Sequence, residues 1–166
     1  MPIGRTLVAA ALAAWPASAE DLRFSPEATE TCLGRVPSRE GCIGYAADEC
    51  TGSPGGSTTV GMGYCYGQEF EYWDARLNAA YAALMAIERA QDAEIKELGS
   101  AAPSTAEALR AMQRAWIAYR DAACDYERSQ WGGGTGGGPA SAACMMGLTG
   151  SQALALEDRL EEKRAR

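Results

Sequence analysis

The residues able to do chemistry are few. Asp121 and Asp125 stand four apart, neighbours on one face if their segment is helical, and Glu69 and Glu71 form a second pair. Two carboxylates can carry glycoside hydrolysis, one as acid and one as base or nucleophile. Nothing around them supports that use, and a solvated acidic face is the preferred reading. The chain has no histidine, so the usual base for a serine or cysteine nucleophile is absent. Ser141 and Ser151 have no motif around them. The run "WGGGTGGGPAS" lacks the preceding strand and the Gly-Lys-Ser/Thr ending of a phosphate loop. No catalytic residue, metal site or cofactor is expected, and the chain reads as a non-enzyme.

The cysteines offer a different chemistry. Cys32, Cys42, Cys50, Cys65, Cys124 and Cys144 all follow an export-type leader, and an even count in that context predicts disulfides. Six cysteines allow fifteen pairings, and the sequence by itself leaves them open. The missing histidine excludes a Cys/His zinc site, and an oxidising compartment argues against an all-cysteine one.

A third group is polar but sits beside packing residues. Asp74 and Asn78 flank an apolar row, and Gln113, Arg114, Arg120 and Asp121 lie near a second one. A network across two helices is the expectation. The carboxylate would hold an Arg fork, the amide would fill leftover donor and acceptor positions, and together they would fix register.

The elements that must position these groups are helical. Phe70, Trp73, Leu77, Ala80, Leu84 and Ile87 recur at spacings of three and four, as do Leu109, Met112, Trp116, Tyr119, Ala123 and Tyr126. Gly61, Gly63 and Gly67 weaken the start of the first helix. "LGSAAPS", 98–104, ends it, and Ser104 with Glu107 forms a capping box for the second, with Pro103 just ahead. So short a connection predicts antiparallel neighbours. "WGGGTGGGP", 131–139, reads as a flexible break. Thr149 with Gln152 reads as another capping box, opening a last helix whose Leu154, Leu156 and Leu160 face partly inward.

Upstream, residues 20–41 look irregular, with Pro26 and Pro37 as breakers. "CIGYAADEC", 42–50, reads as a short helix, on which Cys42 and Cys50 would stand about 12 Å apart, too far to bond to each other. Residues 51–61 form a loop by their Gly, Pro and Ser content. No alternating stretch is long enough for a strand. The fold class is all-α: a small disulfide-stapled helical bundle with a long antiparallel helix pair, one domain over 20–166.

The leader gives the address. Arg5 precedes an apolar run from Leu7 to Trp15, and Ala17-Ser18-Ala19 suits a signal peptidase. Cleavage after Ala19 is expected, with a periplasmic or secreted product that keeps no membrane anchor. Arg5 is the one basic residue lost, so 14 of the 15 Lys and Arg remain against 22 Asp and Glu, and the net charge moves from −7 to −8. That balance argues against nucleic acid and favours a basic partner.

"TTVGMGYCYGQEFEYWDARLNAAYAAL", "AMQRAWIAYRDAACDYE", the glycine-threonine loop before "AACMMGLT", and "TGSQALALEDRL" resemble the family named for the LprI-type lysozyme inhibitor, over roughly residues 50–160. The chain departs from the family pattern in three places: Cys32 and Cys42 precede the matching region, the glycine run is unusually rich, and Gln152 stands where the family usually shows Arg. The resemblance implies a helical fold with Cys50–Cys65 and Cys124–Cys144 bridges, and with them a Cys32–Cys42 bridge. It also implies a protein that inhibits c-type lysozyme, or binds another basic protein, by loop insertion and charge complementarity. The neutral loops 51–61 and 131–139 are the candidates, with Trp131, Gly132, Gly133, Gly134, Thr135, Gly136 and nearby Tyr126 as contact residues. The alternative is a non-catalytic periplasmic structural or adaptor protein without lysozyme activity.

Overall fold

The computed structural model describes residues 22–165. The expected signal peptide, residues 1–19, lies outside them. The described residues form five α-helices and one 3-10 turn, with no strand: α1 (Glu27–Leu33), the 3-10 turn (Arg39–Cys42), α2 (Tyr45–Thr51), α3 (Thr59–Glu97), α4 (Thr105–Ser129) and α5 (Gly137–Arg164). Three disulfides, Cys32–Cys42, Cys50–Cys65 and Cys124–Cys144, join α1 to the turn, α2 to α3, and α4 to α5.

The backbone of the bundle is α3, 39 residues long. Its spacing of Trp73, Leu77, Ala80 and Leu84 produces the stripe that the sequence predicts, and all four are buried. The helix begins earlier than its glycines suggest. Thr58 caps it by accepting the Gly61 N–H at 3.0 Å. Gly61 is tolerated because the preceding loop lies on it: a Cβ there would sit 2.2 Å from the Gly55 carbonyl oxygen.

α3 packs most extensively against α5, which supplies Met146, Ala153, Leu154, Leu156 and Leu160 to the same core. Arg76 meets Glu157 and Glu88 meets Lys163, so α3 and α5 run in the same direction. Gln113 meets Gln152 and Cys124 meets Cys144, so α4 runs the opposite way. The antiparallel neighbours α3 and α4 are present, but the main burial of α3 is against the helix after next.

Two local expectations are corrected. Residues 27–33 are helical, because Pro26 occupies the N-cap of α1, ahead of the first turn, where a missing N–H does no harm. Thr149 and Gln152 do not open a helix. α5 starts twelve residues earlier, at Gly137, and Pro139 is accommodated in its first turn, where its lack of a donor leaves no bond unmade. Thr149 is instead fully buried in mid-helix, and Gln152 donates to the Gln113 side chain on α4 at 3.0 Å. Gly150 marks a close approach: a Cβ there would lie 2.9 Å from the Ile43 side chain.

Candidate functional site

The carboxylates separate at once by burial. Glu71, Asp121 and Asp125 are exposed, whereas Glu69 is completely buried. Glu69 is therefore not part of a solvated face. Its Oε1 accepts from the Thr29 hydroxyl (2.9 Å), the Gly44 N–H (2.8 Å) and the Trp73 indole (3.1 Å). Its Oε2 accepts from the Ala47 N–H at 2.6 Å. The Thr29 hydroxyl in turn accepts from the Ala46 N–H. One carboxylate thus ties α1, the start of α2 and α3 together, and every partner is a donor, as a buried anion requires. The sequence signal was its place four residues before Trp73 on the buried stripe. This group is a structural anchor with no access to a substrate.

Two arginines recur in one chemical setting. Arg76 makes a bidentate pair with Glu157, Nε to Oε1 and Nη2 to Oε2 both at 2.8 Å, and donates to the Tyr72 hydroxyl. Its guanidinium lies 5.1 Å from the Trp73 ring and 5.6 Å from that of Tyr72. Burial would lower the Arg76 pKa, but the bonds to Glu157 and Tyr72 hold it raised. Burial also pushes the Tyr72 phenol up, against the opposing bond and charge of Arg76. Arg39 reaches the same Glu157 at 3.1 Å and also pairs with Asp158, joining the 3-10 turn to α5. Arg120 lies 5.1 Å from the Trp116 ring and 5.8 Å from Phe70, and pairs with Asp121.

That geometry redraws the expected polar network. Asp74, Asn78, Arg114 and Arg120 do line one groove of about 300 Å³ between α3 and α4. Their bonds run within each helix, however. Asn78 donates to Asp74 at 2.7 Å, and Arg120 donates to the adjacent Asp121. Among the described residues no hydrogen bond or ion pair links Asp74 or Asn78 to Arg114 or Arg120. Arg120 crosses to α3 through its flat face on Phe70, which leaves its fork turned toward Asp121.

Both glycine-rich loops are held in defined conformations. The 51–61 segment is folded tightly against α2, since a Cβ on Gly56 would lie 2.3 Å from the Cys50 carbonyl oxygen. The 131–139 segment is not a flexible break. Its last three residues belong to α5, and the rest is a hydrogen-bonded turn in which the Gly134 N–H donates to the Trp131 carbonyl at 2.8 Å. Gly132 and Gly133 take φ of 53° and 86°, the region glycine tolerates best. The Trp131 ring rests on Gly136, where a Cβ would be 2.2 Å from Cζ3. Trp131 is nonetheless 54% exposed.

Trp131 and Tyr126 border an open groove of about 920 Å³ between α4, α5 and the 3-10 turn. Its floor is a row of small α5 residues, Ala140, Ala143, Gly147 and Ser151. α4 contributes Tyr119, Tyr126 and Glu127, and the 3-10 turn contributes Glu40. Tyr119 and Tyr126 are exposed because α4 turns a different face inward. Ala106, Gln113 and Cys124 are buried, with Leu109, Trp116 and Arg120 half-buried between them, while Met112 is exposed. The buried stripe is thus rotated about one residue from the predicted seam.

The model for the family described as "Lysozyme inhibitor LprI" matches residues 50–156. The chain belongs to this family. The matched range covers α3, α4, the glycine turn and most of α5, and so includes the α3–α4 groove and the α4 and α5 walls of the larger groove, whose Glu40 and Ile43 lie outside it. The chain is also similar to the uncharacterized protein R02472 of Rhizobium meliloti (strain 1021), with 31% identity over 100 residues, covering 60% of this chain and 72% of the relative. No solved structure matches it. The two stretches that characterise the LprI resemblance, "WDARLNAAY" and "QRAWIAYRDAAC", face each other across the α3–α4 groove. Among the described residues no helix is long and apolar enough to cross a membrane.

Proposed function

We propose that this LprI-family protein is exported, loses residues 1–19, and inhibits a c-type lysozyme by binding rather than by catalysis. The observation that carries the reading is the presentation of Trp131. It stands on a hydrogen-bonded glycine turn at the edge of an acidic, aromatic groove, within the part of the chain that the family shares. An exposed aromatic on a pre-shaped turn contributes much contact area with little ordering entropy. The turn residues Gly132–Gly136 are uncharged, so they can approach the two catalytic carboxylates of a glycosidase cleft without like-charge repulsion. C-type lysozymes are generally strongly basic, and an acidic inhibitor gains encounter rate and orientation from that contrast. The deciding experiment is a lytic assay against a c-type lysozyme at low and moderate salt. Inhibition at micromolar protein, weakened by Trp131→Ala, is expected. Undiminished lysis at that concentration would remove the reading and leave a structural or adaptor role in the periplasm.

A further inference from the structure

The chain builds one chemical arrangement twice. Arg76 lies over the rings of Tyr72 and Trp73 and is paired with Glu157, and Arg120 lies over the rings of Trp116 and Phe70 and is paired with Asp121. In each, aromatic faces and a carboxylate surround a guanidinium. The groove between α4 and α5 has the same surroundings without the cation. Tyr119, Tyr126 and Trp131 are 61%, 63% and 54% exposed along it. Glu127 on α4 and Glu40 on the 3-10 turn stand on different walls. No lysine or arginine lines it, and neither carboxylate is engaged by a cation among the described residues.

We propose that this groove receives an arginine side chain from a basic protein partner, stacked on the exposed rings and paired with Glu40 or Glu127. Arginine fits better than lysine because its planar, weakly hydrated fork can stack on rings and bond a carboxylate at the same time. The small residues of the α5 floor leave room for the aliphatic stem. The partner's identity rests on the inhibitor reading above; the groove's preference for a cation does not.

The test uses the isotope-labelled protein recovered after export, followed by NMR. Nα-acetyl-arginine amide should shift the Trp131 indole N–H and the Gly134 and Gly136 amides saturably, and Nα-acetyl-norleucine amide should not. Glu40→Gln with Glu127→Gln should weaken binding by about threefold or more, the scale of exposed cation–π and ion-pair contacts. Gly147→Leu should abolish it without harming the fold, because a Cβ at Gly147 meets nothing within 4 Å. A thermal melt at or above the parent's would verify that the fold is intact.

Four results would each overturn the proposal: no saturable shift, equal shifts with the norleucine amide, preferential binding of chitotriose, or concentration-dependent shifts without any probe, which would mark a second copy in the groove. Probe binding without lysozyme inhibition would support the groove and remove only the lysozyme assignment. Inhibition without probe binding would remove the groove alone.

Discussion

Glu69 shows how much one side chain can organise. Four donors from three segments converge on it, and among the described residues none of them bonds to a second acceptor. Glu69→Ala should lower unfolding stability by about 3 kcal/mol or more, because each buried donor left unmatched carries its own desolvation penalty. Glu69→Gln should be milder yet still destabilising: if the amide oxygen keeps the three bonds of Oε1, its NH₂ faces the Ala47 N–H, donor against donor. Urea melts of the two variants would measure the difference, and equal stability would contradict this account. Asp92 plays a related part at the other end of α3. It accepts from the Ser104 hydroxyl, the Ala106 and Thr105 N–H groups and the Thr105 hydroxyl, so it caps α4 from outside. The Ser104 bond, followed by the two backbone N–H groups, holds its carboxyl far below the usual aspartate range. A depressed folded-state pKa means stability that is present above about pH 4 and is lost as pH falls toward the folded value. For Glu88, burial works to raise the pKa, but the nearby Thr105 hydroxyl and the Lys163 ammonium bonded to it outweigh that effect, so its contribution has the same sign. The melting temperature of the parent should therefore fall more steeply between pH 5 and about pH 2.5 than that of Asp92→Asn, in which the acceptor no longer titrates.

At the scale of elements, glycine in α3 and α5 has two opposite meanings, and paired substitutions separate them. Gly150→Val would drive a side chain into Ile43, already 2.9 Å from a bare Cβ, and should cost about 1–3 kcal/mol. Gly63→Ala meets nothing within 4 Å and should stabilise α3 by about 0.5–1 kcal/mol. Thermal melts should move in opposite directions, and a gain at Gly150 would mean that the contact between α5 and the 3-10 turn yields easily. These positions also show what the sequence made legible. The α3 stripe could be read because large residues recur at helical spacing over five turns, and little else competes for Trp73, Leu77 and Leu84. α4 offered two plausible stripes, one through Met112 and Tyr119 and one through Gln113 and Arg120. The choice fell to the polar one, since Gln113 finds Gln152 and Arg120 finds Phe70 on the neighbouring helices. The start of α5 was hidden because Gly137-Gly138-Pro139 has breaker composition, and only its place in the first turn makes it harmless. Trp131 and Tyr126 could be paired by proximity in sequence. Glu40 could not be joined to them, because its approach depends on how the 3-10 turn docks on α5.

The whole molecule combines a long-range acidic field with a short-range aromatic site, and the two should appear in different rate constants. The chain carries 22 acidic against 15 basic residues. A field of that sign draws a basic partner in from beyond contact distance, but it is screened within about 8 Å at physiological ionic strength, against about 30 Å at 0.01 M. Raising salt across that interval should therefore slow association by about tenfold or more and leave dissociation nearly unchanged. Trp131→Ala changes no charge and removes only contact made after docking. It should accelerate dissociation and leave the association rate and its salt dependence intact. Surface-plasmon or stopped-flow measurements with immobilised or labelled c-type lysozyme would resolve both constants. A salt-insensitive association rate would mean that the acidity serves solubility alone. An unchanged dissociation rate in Trp131→Ala would mean that the partner docks elsewhere, and the α3–α4 groove where "WDARLNAAY" meets "QRAWIAYRDAAC" would then be the surface to mutate next.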